Sequence, residues 1–188
     1  MIVVAGNLGA DAPGGASAAA VAGHVASLGQ RVEAVGILPA DAAGDRRLLE
    51  LRALGIGHAA VLRSPAAALD AGDLDLALRY LPDIGAIVLV EPAAGLVATA
   101  SAAASWLGSG LVVVATDAAE VPDDGLGSDR TVVLGPPRSD PDGAFAGFVA
   151  ALAVRLAAGA TPADAWSDAT AALGVEPIPE RISEARLP

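Results

Sequence analysis

The sequence predicts a three-layer α/β fold, with a mainly parallel sheet covered by helices on both faces. Short apolar runs alternate along the chain with segments of helical periodicity. The runs carry almost no polar interruption, as strands buried on both faces require. With 188 residues, 54% of them hydrophobic, the chain can fill such a core and reads as one compact domain over 1–188.

Residues 2–5 (IVVA) form the first strand and 6–15 (GNLGADAPGG) a turn-rich loop. Ala18, Val21, Ala22, Val25 and Leu28 then recur at helical spacing, and Gly29 supplies the stop. A second strand covers 31–37, a helix 44–54 carries Leu48, Leu51 and Leu54 on one face, and a third strand covers 59–63. Residues 74–81 read as a helix, 86–91 as a buried strand and 96–107 as a helix of small residues. Strands at 111–116 and 131–134 complete the sheet. A buried helix runs to Arg155 after the loop that precedes Gly143, and Thr161-Pro162, with Asp164 in the first turn, opens a last helix reaching Leu173. The Pro-rich tail after Gly174 is expected on the surface, and Trp106 and Trp166 fall at helix positions expected to pack.

Composition excludes several chemistries. Without cysteine there are no disulfides and no thiolate metal sites. All 11 basic residues are arginine, which removes a Walker lysine and any Schiff-base mechanism. A net charge of −11, with no basic stripe or aromatic platform, opposes a nucleic-acid backbone. No apolar run reaches the roughly 18 residues of a membrane span. Met1 leads directly into a strand without a charged leader, so no signal peptide is expected, and the protein is expected to be soluble and cytoplasmic.

The stretch 131–155 (TVVLGPPRSDPDGAFAGFVAALAVR) carries the most chemistry. It reads as a strand, a loop of Gly, Pro, Arg, Ser and Asp, and a buried helix. The first turn of a helix presents unpaired N–H groups and the positive end of the dipole, so a loop ending there can hold an anion. Asp142 at that junction is placed to take a proton from a hydroxyl. It is equally an ordinary N-cap ahead of Gly143. The first loop, with Gly6, Gly9, Gly14 and Gly15, follows neither the GxGxxG nor the GxxxxGK spacing. His24 and His58 have no matched spacing for a metal, and Ser105, Ser139 and Ser167 lack a hydrolase context.

Residues 142–152 (DGAFAGFVAAL) resemble the segment DAFAGGFLAAL that carries the catalytic aspartate of the ribokinase-like (PfkB-type) carbohydrate kinase family. Further segments are similar to the same family. VAGNLGAD (4–11) resembles its VVGSLNVD, and GASAAAVAGHVASLG (15–29) its GGSAANTAVALARLG. AVGILPADAAGDRRLLELRALGIG (34–57) resembles LVGRVGDDAFGRELLAALRAEGVD, with Gly36, Asp41, Gly44 and Gly55 in place. The resemblance implies a ribokinase-like fold and ATP-dependent phosphorylation of a hydroxyl on a sugar or sugar-like small molecule. Asp142 would be the base, Ser139, Asp140 and Gly143 the anion hole, and Asp11, Gly15 and Asp41 the substrate contacts. Asp117 and Glu120 would lie in the phosphate and metal region, with Mg2+ on the phosphates and no protein group as its direct ligand. On its own chemistry the Arg138 guanidinium in the loop can grip a phosphate or equally be an exposed charge balancing Asp140.

The sequence departs from the family at several of these points. The second glycine of the GG pair is Ala16 and the sugar-binding Asn is Ala20. The NxxE motif reads Asp117-Ala118-Ala119-Glu120, and GAGD reads Ser139-Asp140-Pro141-Asp142, where Pro141 has no N–H and Asp140 adds negative charge. The chain is also shorter than family members and is expected to lack the lid strands, leaving a sheet edge for a homodimer to cover. A catalytically silent relative that binds a small molecule or a partner is the alternative these departures favour.

Overall fold

The structure, a computed structural model, describes the chain apart from residues 10–16, 65–67, 94, 119–120, 122–125, 127–128, 138–142, 174–183 and 188. Six strands, β1 (Ile2–Asn7), β2 (Val32–Leu38), β3 (Gly57–Arg63), β4 (Ala86–Val90), β5 (Gly110–Val114) and β6 (Thr131–Gly135), are mutually parallel. They stand in the order β3-β2-β1-β4-β5-β6, and β7 (Glu184–Arg186) adds antiparallel to β6. Alternate strand residues feed two cores, because successive side chains point to opposite faces. Ile2, Val4, Val88, Val112 and Val132 face α1 (Ala18–Ser27), α2 (Ala42–Ala53), α5 (Ala144–Ala157) and α6 (Pro162–Leu173). Val3, Ala5, Ile87, Leu111 and Val133 face α3 (Ala71–Tyr80) and α4 (Leu96–Leu107). Strand runs such as AIVLV and GLVVV are buried throughout, which explains their lack of alternation. Among the described residues there is one sheet and no second, lid-like sheet above it.

The starts of α1, α2, α3 and α6 are set by side-chain caps rather than by the apolar pattern, whereas α4 and α5 begin at the left-handed glycines Gly95 and Gly143 with no side-chain cap. Asp41 Oδ1 accepts the N–H groups of Ala43 and Gly44, each at 3.0 Å, so α2 begins two residues before the expected 44. Asp70 accepts from Asp73 N–H at 2.8 Å, so α3 begins at Ala71, three residues ahead of the expected start. Ser17 caps α1 through Ala20 N–H, and Thr161 with Asp164 caps α6 by reciprocal bonds of 3.2 and 2.7 Å.

Several expectations are corrected. Leu28 and Leu54 are C-caps, 51% and 57% exposed, because each helix has already turned away from the core there. His58 lies in β3, which begins at Gly57, two residues ahead of the expected start at 59. There the Glu33 carboxylate, on the bulged stretch of β2, accepts Ala59 N–H at 2.6 Å and occupies the space a side chain on residue 57 would need. Trp166 packs edge-on against Phe148 at 5.0 Å, but Trp106 is 80% exposed. The tail expected on the surface is exposed at Ala185 and Leu187, and part of it forms β7, paired to β6 at the sheet edge.

Candidate active site at the carboxyl edge of the sheet

Successive connections run from β1 towards one side of the sheet as far as β3, and then return to place β4 on the other side of β1. Such a reversal leaves a crevice outside the carboxyl ends of the two central strands, where open α/β sheets take their ligands. The strand ends here meet at backbone distance. A Cβ on Gly6 would stand 2.5 Å from the carbonyl oxygen of Val90, and one on Gly36, its register partner, would strike the carbonyl oxygen of Gly6. Gly36, expected from the resemblance, is therefore required by close packing across β2, β1 and β4.

A crevice of about 370 Å3 opens at this point, lined by Gly6, Asn7, Ile37, Leu69, Glu91 and Leu96. Asn7 turns its Oδ1 back to Gly9 N–H at 2.9 Å, which bends the chain away at the end of β1. Glu91 was not singled out from the sequence, yet it is a conspicuous group of the crevice. It holds φ +48, a left-handed conformation costly for a side chain of this kind. Its carboxylate accepts the hydroxyl of Thr116 at 2.8 Å and the N–H of Thr116 at 3.3 Å, tying the end of β4 to the end of β5. The signal was a lone carboxylate closing an otherwise apolar run just before Pro92.

Of the residues expected to form the site, Gly143, Asp41 and Asp117 are described. Gly143 is the N-cap of α5, at φ +70. The helix behind it is buried through Phe145, Ala146, Phe148, Val149, Leu152 and Leu156, so its start is held rigidly beside α1. His24 of α1 faces that start, with Nε2 3.2 Å from the position of a Cβ on Gly143. Asp41 lies past the carboxyl end of β2, where Oδ1 is engaged by the cap of α2 and its carbonyl accepts the Arg63 guanidinium at 3.1 Å. Asp117 is exposed just beyond β5. Asp11, Gly15, Glu120, Arg138, Ser139, Asp140 and Asp142 lie outside the described residues. Among the described residues no three His, Asp or Glu side chains gather as a metal cluster, and no helix is long and apolar enough to cross a membrane.

No protein-family model matches the chain, and no curated protein matches it in sequence. Solved structures do match in fold. The fructokinase with bound ATP from Xylella fastidiosa superposes with TM-score 0.60 at 15% identity, over 89% of this chain and 85% of that one. The ribokinase of Giardia lamblia gives TM-score 0.60 at 15% identity, over 93% and 92% of the two chains. The fructokinase of Halothermothrix orenii gives 0.58 at 15%, over 93% and 98%. With its parallel sheet, its helices on both faces and the segments that resemble the PfkB-type motifs, the chain has the fold of the ribokinase-like carbohydrate kinases.

Proposed function

We propose that the protein transfers a phosphoryl group from ATP to a hydroxyl of a sugar or sugar-like small molecule. The observation that carries this reading is the start of α5. A left-handed glycine stands at this helix N-terminus, on the connection that follows β6, and a Cβ there would stand 3.2 Å from His24 Nε2. A phosphate suits such a helix start because helix N–H groups and the helix dipole favour an anion. The buried apolar flank of α5 adds pre-organisation, since a fixed helix start need not rearrange as charge develops.

In this reading Asp142 accepts the proton of the attacking hydroxyl, while Gly143, with Ser139 and Asp140, borders the anion hole. Asp11, Gly15 and Asp41 orient the substrate. The second oxygen of Asp41 is left for this purpose, because the helix cap uses Oδ1. Arg138 grips a phosphate through its guanidinium, and Asp117 and Glu120 act on the metal through water. Mg2+, when bound with the nucleotide, supplies neutralisation of the phosphate charge in a chain that carries −11.

Calorimetric titration with ATP, in the presence and absence of Mg2+, tests the nucleotide half of the proposal. Metal-dependent heat is expected both for the native chain and for Asp142→Asn, because the base is not needed for binding. No heat at millimolar nucleotide overturns the kinase reading in favour of a silent binding module.

A further inference from the structure

Arg63 ends β3 at the carboxyl edge of the sheet, in register with Leu38 at the end of β2. Its guanidinium reaches across to the turn that leads from β2 into α2 and carries Asp41. Nη2 donates to the Asp41 carbonyl at 3.1 Å and to Asp45 Oδ1 at 2.7 Å. Residue 44 is glycine, and a Cβ there would strike the Pro39 carbonyl oxygen and stand 3.2 Å from Arg63 Cζ, so the turn closes tightly over the guanidinium. Asp41 is thereby held at two points, its Oδ1 by the N–H groups of Ala43 and Gly44 and its backbone by Arg63.

Little of this serves stability. Asp45 is 71% exposed, and water and salt screen an ion pair so open to them. Asp41 caps α2 without help from Arg63, and β3 is fastened to β2 by its ladder and by Ser64 N–H on the Leu38 carbonyl at 3.0 Å. Against these small gains, Nη1 of Arg63 is buried with no acceptor among the described residues. A buried donor left unpaired has lost its hydration without return, and such groups gather where function, rather than stability, holds a side chain in place. We propose that Arg63 is a positioning residue for the substrate: by fixing the Asp41 backbone it aims the carboxylate oxygen that the helix cap leaves free. This rests on the proposed contact of Asp41 with the sugar. A carboxylate already held in one direction has less freedom to lose when a hydroxyl binds, so Arg63 acts on substrate binding and not on the phosphoryl step.

Initial rates of ADP formation from Mg-ATP, with D-ribose, D-xylose, D-fructose and D-glucose as acceptors, test this beside urea unfolding. Arg63→Met keeps much of the reach of the side chain and removes both the clamp and the unpaired donor. It is expected to raise the sugar KM by about tenfold, to leave kcat within about twofold, and to keep the unfolding midpoint at or above the native one. Arg63→Lys restores a donor and is expected to recover part of the lost affinity. Asp45→Asn removes the exposed ion pair alone and is expected to leave KM at its native value. A lower midpoint in Arg63→Met with an unmoved KM shows a merely structural arginine and overturns the proposal. A KM raised as much by Asp45→Asn as by Arg63→Met also overturns it, because the effect is then one of charge and not of direction. Turnover of no sugar by the native chain overturns the kinase reading and this assignment with it, whereas turnover with an unmoved KM in all three variants overturns this assignment alone.

Discussion

Replacing Gly143 with alanine tests whether α5 begins in a conformation that only glycine adopts freely. At φ +70 an L-residue pays about 1–2 kcal/mol. The added Cβ would also stand 3.2 Å from His24 Nε2, closer than ordinary contact. His24 is half-buried and can yield by a few tenths of an ångström, so the crowding adds roughly 0.5 kcal/mol through a displaced rotamer. The expected loss is therefore about 1.5–2.5 kcal/mol, most of it backbone strain. Gly143→Asn should lose about half as much, because asparagine tolerates the left-handed region. In a His24→Ala background the alanine penalty should fall only by its steric part. Urea unfolding with unchanged m reads these differences. If alanine and asparagine cost the same, or if removing His24 abolishes the alanine penalty, the strain argument is wrong and the helix start is limited by packing alone.

Other outcomes follow from the same physical reasoning. Glu91→Ala should cost about 1–2 kcal/mol, since it loses both bonds to Thr116 and keeps the positive φ, whereas Glu91→Gly should be better tolerated by about 1 kcal/mol; thermal melts of the two variants check the order. Phe148→Ala should lose about 3–5 kcal/mol in denaturant unfolding, because the ring is fully buried and packs on Trp166. Asp41→Ala should cost about 1 kcal/mol through the lost cap of α2, while Asp41→Asn should fold almost as well as the native chain. Any loss of sugar affinity in Asp41→Asn therefore reports the proposed substrate contact and not stability.

The alternation of strands and helices was legible because burial on both faces leaves each strand an unbroken apolar run, as in 86–90 and 110–114. Boundaries were less legible. A single hydrogen-bonding side chain, Asp41 or Asp70, sets where a helix begins, and neither belongs to the apolar pattern. β7 could not be read because three residues paired to a strand some 50 positions away leave no local signature. Trp106 illustrates the same limit. Its helix position was plain, but whether a neighbour covers it depends on how α3 and α4 are spaced. At the candidate site, glycines were informative where backbones nearly touch, as at Gly36. Glu91 was not, because its significance comes from the reversal of strand order between β1 and β4.

The most direct test of phosphoryl transfer is the rate of ADP formation from ATP, measured with Mg2+ against a panel of pentoses and hexoses. ADP formation that requires both metal and one class of sugar, and that falls by about 10^2–10^4-fold in Asp142→Asn, is the result expected of a kinase with that aspartate as base. Nucleotide binding with no sugar-dependent ADP formation, or a rate unchanged by Asp142→Asn, would contradict it.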